Sequence, residues 1–228
     1  MVVFPYNTFW RLLSGLGSAN LTIALALALA ILLTVNGDRR MARWWLVSFF
    51  IAMGVVGMTK LAFVAWGMAV PPFDFTGASG HAARAAAVYP VLCFILSKHR
   101  SAAFQRLALC AALVLATGIA CSRLARQVHS FSEVACGLGI GVVVAAMYMR
   151  RAGACGRLQA VRAMPWLGGA VLCAAILPAA PTQAWLTQAG MALSGRPAPY
   201  TRHDARIKPG IATPFCGAMQ PGCTERLR

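Results

Sequence analysis

The chain alternates long apolar runs with short polar breaks, most of them basic. Residues 18–36 (SANLTIALALALAILLTVN) and 44–67 (WWLVSFFIAMGVVGMTKLAFVAWG) are the first two runs, and each is long enough for a helix that crosses a bilayer. Runs at 82–97, 107–121, 134–149 and 165–181 predict four more spans. The fourth and fifth fall slightly short of the roughly 20 residues a hydrocarbon core needs. Pro90, inside the third run, predicts a kink there. The pattern predicts an all-α fold, a polytopic membrane helix bundle of about six transmembrane helices. Aromatic residues at Phe4, Tyr6, Phe9 and Trp10 mark residues 1–17 as an interfacial segment ahead of the bundle at 18–182. A polar, basic tail at 183–228 follows, with a helix predicted over Gln183–Leu193 and irregular chain beyond it.

Composition agrees with a membrane protein: 59% of residues are hydrophobic and 11% charged. A cleaved signal peptide would carry its basic residues before the apolar run, whereas Arg39, Arg40 and Arg43 follow it, so residues 18–36 read as a retained helix. The net charge of +16 sits in short clusters between apolar segments, without a continuous basic face, and no nucleic-acid partner is expected. Those clusters instead report topology. The basic loops 37–43, 98–106 and 150–162 are alternate connections, which places them on one side, cytoplasmic by the positive-inside rule. Loops 68–81 and 122–133 then share the outer face. In a bacterial inner membrane that face is periplasmic, where a Cys216–Cys223 bridge in the tail is allowed. The other cysteines near apolar runs, such as Cys93 and Cys136, read as small packing residues.

The two outer loops also hold the polar groups with chemical potential. His129 is followed four residues later by Glu133, one of only two glutamates in the chain. On a helix the two share a face, and a carboxylate on one imidazole nitrogen leaves the other free to attack. Ser130-x-x-Glu133 also fits a capping box, which would make the glutamate structural. Ser79-Gly80-His81 opens the next helix upstream, where free backbone N–H groups favour an anion and Gly80 allows close approach. Ser79 either bonds a phosphate oxygen or caps that helix, and His81 is placed to protonate a leaving oxygen. Lys60 lies in an apolar helix, where a lysine either snorkels or faces a polar site. Arg84 falls on the same helical face as His81, and Arg123 precedes His129 by six residues. His99 and His203 read as solvated, and Asp74 as a turn or entrance residue. No histidine array or acidic cluster suggests a metal, and no cofactor is expected.

Lys60, then Ala78-Ser79-Gly80-His81, then Ser122-Arg123-x5-His129-x3-Glu133 together resemble the type 2 phosphatidic acid phosphatase family over roughly residues 44–150. That family carries a lysine followed by Arg-Pro, then Pro-Ser-Gly-His, then Ser-Arg-x5-His-x3-Asp. The resemblance implies catalysis by His129 as nucleophile, Glu133 as its orienting carboxylate and His81 as proton donor. It implies phosphate binding by Lys60, Ser79, Gly80 and Arg123, with Arg84 as a further cation, without a metal. The chain departs from the pattern at Ala78 for proline, Glu133 for aspartate, and Gly67-Met68 where Arg-Pro is expected. Arg84 or Arg126 is the candidate for the missing charge.

The function expected is hydrolysis of a lipid phosphate or diphosphate monoester at the outer face, through a phosphohistidine. An isoprenoid diphosphate, a phosphatidic or phosphatidylglycerol phosphate and a lipid A phosphate all fit. The alternatives are a lipid phosphotransferase and a non-catalytic protein of the same fold that binds lipid or a partner.

Overall fold

The computed structural model describes residues 4–152, 164–178 and 180–207. Its regular elements there are helices: α1 (Phe4–Leu16), α2 (Ala19–Val35), α3 (Arg39–Trp66), α4 (Gly80–Ser97), α5 (Ala102–Ala125), α6 (Phe131–Arg151), α7 (Met164–Ile176), α8 (Thr182–Ser194) and α9 (Arg202–Ile207). The breaks follow local chemistry. Ser18, Asp38, Ser101 and Ser130 accept from the first-turn amides of α2, α3, α5 and α6, satisfying donors that a helix start leaves open. Gly67 ends α3 at φ 71°, a left-handed conformation that glycine adopts without a Cβ penalty.

Five helical stretches are long and apolar enough to cross a membrane: Thr8–Val35, Arg39–Trp66, Gly80–Ser97, Ala102–Ala125 and Phe131–Arg151. The chain is an integral membrane protein. The fourth and fifth are longer than their apolar runs suggest, at 24 and 21 residues, because polar residues near each end continue the helix. The last apolar run is shorter than expected. α7 has 13 residues and reaches only about 20 Å along its axis. Its C-terminal end is held by Asn20, whose amide donates to the carbonyls of Leu177 (3.1 Å) and Pro178 (2.7 Å) and accepts from Ala180 N–H (3.0 Å).

The core forms where α2, α3, α4, α5 and α6 meet, around Leu29, Leu33, Trp45, Phe49, Val88 and Ile119. Trp45 buries its ring there and donates its indole N–H to the Ala26 carbonyl at 2.8 Å, joining α3 to α2. α4 is the central helix and is lined with alanine; Ala82, Ala83, Ala85, Ala86 and Ala87 are all fully buried. Facing them, α6 presents Gly137 and Gly141, one turn apart. A Cβ at Gly137 would overlap the carbonyl oxygen of Ser79. One at Gly141 would overlap the carbonyl oxygen of Ala83 and stand 2.7 Å from Ala86 Cβ. Small residues on both helices thus let two backbones touch, the packing mode that replaces the hydrophobic effect inside a bilayer.

The basic loops gather at one end. The Lys98 ammonium donates to the Ala152 carbonyl at 2.9 Å, and the Arg151 guanidinium stacks 3.9 Å from the centre of the Trp44 ring. At the opposite end the 67–79 and 126–130 connections meet, with the Ser132 hydroxyl donating to the Phe73 carbonyl at 2.6 Å. Both motif histidines lie at that end.

Gly141→Leu is expected to force α4 and α6 apart and to destabilise the bundle by about 1–3 kcal/mol, as overpacking does in other close-packed interiors. Gly139→Leu, at a position with nothing within 4 Å, is expected to be tolerated. Thermal melting of both variants in detergent separates the two outcomes.

Candidate active site

Construction of the site begins at the start of α6. Ser130 and Glu133 form the capping box the spacing suggested: the Ser130 hydroxyl accepts from Glu133 N–H (3.4 Å), and the carboxylate accepts from Ser130 N–H (3.2 Å). The same carboxylate oxygen, Oε2, accepts from His129 Nδ1 at 2.6 Å. The capping box and the contact to His129 are therefore both present at this glutamate. Its other oxygen accepts from the backbone N–H of Thr76 (2.8 Å) and from the Thr76 hydroxyl. Glu133 is 0% exposed, and a carboxylate so buried persists only with donors around it.

His129 sits in the α5–α6 connection, which Gln127 turns through a left-handed residue (φ 55°). Burial pushes its imidazole below the ordinary value, with Lys60 and Arg123 adding to the effect, while the bond to Glu133 pulls the other way. The ring is accordingly neutral at pH 7. Nδ1–H is committed to Glu133 and Nε2 keeps its lone pair.

His129 faces a cavity of about 480 Å³. His81, from the first turn of α4, lines it too, as do Lys60, Arg84, Arg123 and Arg202. Four cations and no carboxylate among its lining residues make it a site for a multiply charged anion. Lys60 comes from α3 and does not snorkel away; Gly77 packs against it, at φ 142° and with a notional Cβ only 2.8 Å from Lys60 Cγ. Arg84 folds back over the first turn of α4, so that a Cβ on Gly80 would stand 2.9 Å from its NH1. The Nε atoms of Arg84 and Arg123 are buried and without a hydrogen-bond partner.

Ser79 stands just behind this lining. It is the N-cap residue of α4, yet its hydroxyl makes no capping bond and is buried without a partner. Its backbone N–H donates to the Glu133 carbonyl at 2.9 Å, which fixes α4 against α6 at the level of the histidines. Ala78, where the family pattern has proline, uses the N–H a proline lacks: it donates to the Thr59 hydroxyl at 3.0 Å. The exchange thus adds a hydrogen bond between the α3–α4 connection and α3 that a proline could not make.

Several contributors escaped the sequence reading. Ser14, at the end of α1, accepts from Arg123 NH1 (2.6 Å) and Arg126 NH1 (3.1 Å), and the Gly17 carbonyl accepts from Arg84 NH2 (3.3 Å). The segment expected only to lie at the interface therefore aims two cations. Arg126, one candidate for the missing charge, is held on Ser14 and does not line the cavity. Arg202 was missed as well, since no spacing relates it to a motif. The tail, expected to be irregular beyond its first helix, instead folds back and forms α9. Cys216 and Cys223 lie outside the described residues. His99 is exposed, as expected of a solvated loop residue.

Fold and site define a helical membrane protein with a cationic cavity built around two histidines. Residues 66–157 match the PAP2 superfamily. The chain is also 33% identical over 204 residues to a Klebsiella pneumoniae protein described as an uncharacterized 22.5 kDa protein in the cps region, covering 86% of this chain and 96% of that one. No solved structure matches the chain. The chain belongs to the PAP2 superfamily, whose members are usually phosphatases, and membership supports a phosphatase-type function.

If the cavity holds phosphate through these cations, Lys60→Met and Arg123→Met should each weaken binding of inorganic phosphate about 10–100-fold, the worth of a hydrogen bond to a charged group. Arg106→Met, at an exposed position on α5, should leave it unchanged. Calorimetric titration of the detergent-solubilised protein reads the difference.

Proposed function

We propose that the protein hydrolyses a lipid phosphate or diphosphate monoester at the outer face of a bacterial inner membrane, through a phosphohistidine on His129 and without a metal. The 2.6 Å contact from His129 Nδ1 to the buried Glu133 carboxylate, at the wall of a cation-lined cavity, carries the proposal. It is the arrangement a histidine nucleophile requires: one nitrogen held, the other free.

The Nε2 lone pair attacks phosphorus and forms the N–P bond. The P–O bond to the leaving group breaks, its electron pair departs on oxygen, and His81, which enters the step as the imidazolium beside the bound phosphate, supplies the proton and is left neutral. Water then attacks phosphorus while His81 accepts its proton, and the N–P electron pair returns to Nε2. Lys60, Arg84 and Arg123 stabilise the charge that spreads over the equatorial oxygens in both steps.

An apolar groove supports a lipid substrate. It has a volume of about 450 Å³, lies among α2, α3 and α8, and shares Lys60, Gly80 and Arg84 with the cationic cavity. Ile23, Phe50, Met53 and Leu186 line it farther along. An amphiphile fits the pair, with its phosphate among the cations and its chain in the groove. The outer-face orientation rests on charge: the basic loops gather at the end opposite the histidines.

Phosphate release from a panel of lipid phosphates, measured in detergent with EDTA, tests the proposal. Release should survive EDTA and disappear in His129→Ala. The pH dependence has a definite sign. Protonation removes the Nε2 lone pair, and burial holds the ring below its ordinary value of 6.5. Activity should therefore fall on the acid side as pH drops through that depressed value, and on the alkaline side as His81 loses the proton it donates. Release that EDTA abolishes, or that His129→Ala retains, counts against the mechanism.

A further inference from the structure

The family pattern places Arg-Pro after its lysine; this chain has Gly67-Met68. The structure shows what occupies that place. Tyr200, from the C-terminal tail, lays its ring on Gly67, with two ring carbons 3.0 Å from where a Cβ would stand. Its backbone N–H donates to the Val64 carbonyl at 3.1 Å. A side chain at position 67 would crowd the Tyr200 ring, and the left-handed φ of 71° disfavours one independently.

Two residues beyond Tyr200, Arg202 enters the cavity wall. Its NH2 donates to both Glu133 oxygens (2.9 and 2.7 Å) and to the Thr76 hydroxyl (3.2 Å), and its NH1 lies 3.5 Å from Asp74 Oδ2. The segment that delivers it is fastened at several points. α8 packs closely on α3, where a Cβ on Gly190 would stand 2.7 Å from Val64 Cγ1. Arg196 stacks on Tyr200 and donates to its hydroxyl at 2.9 Å. Asp204 accepts from the Thr201 N–H (2.8 Å) and hydroxyl (2.7 Å), which closes the first turn of α9.

We propose that residues 196–207 are a built-in strap of the active site, and that Arg202 is a positioning residue for catalysis. It acts through Glu133. The guanidinium donates to the same oxygen, Oε2, that takes the capping-box N–H and the His129 ring, fixing the oxygen that orients His129. Its charge is answered by Glu133 and Asp74, so its loss should act on the carboxylate's position rather than on anion binding. Glutamate in place of aspartate belongs to the same arrangement, since the longer arm meets donors on the 67–79 loop and on the strap while still holding His129. The strap thus brings to the site an arginine from the far end of the chain, where the family pattern has its arginine soon after the lysine.

The kinetic role rests on the phosphatase proposal, so the test has two arms. In the first, full-length Arg202→Ala should lose about 10–100-fold in kcat, the scale of effect that loosening a catalytic group by a fraction of an ångström produces, with KM within about threefold. Arg202→Lys should recover part of the loss. Because Arg202 acts through Glu133, adding Arg202→Ala to Glu133→Gln should cost little beyond Glu133→Gln alone. An Arg202→Ala enzyme with unchanged kcat, or a double variant in which the two losses multiply, overturns the positioning role.

The second arm needs no turnover. Hydrogen–deuterium exchange of the wild-type protein in detergent should show residues 196–207 protected. Arg202→Ala should speed exchange at Thr76 and Ser130, whose amides donate to Glu133. A strap that exchanges as fast as free chain overturns the proposal even in an active enzyme. A protected strap on a protein that releases no phosphate would instead count against the phosphatase reading.

Discussion

The structure turns on one buried carboxylate. Glu133 receives five donors: the backbone and hydroxyl of Thr76, the ring of His129, the backbone of Ser130 and the guanidinium of Arg202. These come from three separate parts of the chain, the α3–α4 connection, the start of α6 and the tail. Leaving a wholly buried carboxylate short of donors is costly, so each partner constrains the others. The same contacts that make the carboxylate tolerable inside the protein also set the tautomer of His129. The group that ties these elements together is thus also the one the proposed chemistry uses.

That group is only useful if α4 brings His81 to the same cavity. The contact between α4 and α6 accomplishes this by leaving out side chains. Alanine on one helix and Gly137 and Gly141 on the other let the backbones meet, and the Ser79 N–H bonds directly to the Glu133 carbonyl. The cations then enter from farther afield. Lys60 comes from α3 and Arg123 from α5, with Ser14 and Gly17 of the N-terminal segment steering Arg123 and Arg84. Gathering like charges in one apolar bundle is unfavourable without an anion, which links the electrostatics of the cavity to the phosphate it is proposed to bind.

What was legible in the sequence follows from how local each signal is. Apolar runs of 15 to 24 residues made the helices legible because a bilayer demands length and apolarity together. His129 and Glu133 were legible because they lie four apart at a helix start, where spacing dictates contact. Ser79-Gly80-His81 was legible for the same reason, although the Ser79 hydroxyl neither caps the helix nor reaches the cavity lining. Arg202 lies 69 residues from Glu133 and follows a helix of moderate polarity, so nothing periodic connects them. Ser14 is equally silent: a serine near an interface carries no signal until α5 is packed beside it. The short α7 went unrecognised because the apolar run was read through Pro178, which ends the helix at Ile176.

The central claim is that His129 becomes covalently phosphorylated during turnover. Rapid acid-free quenching with a lipid substrate radiolabelled at the terminal phosphate tests it most directly. The account predicts transient label on the protein that is lost in acid, survives alkali, maps to the peptide containing His129 and is absent from His129→Ala. Steady phosphate release with no labelled protein at any time, or label that persists in His129→Ala, would contradict it.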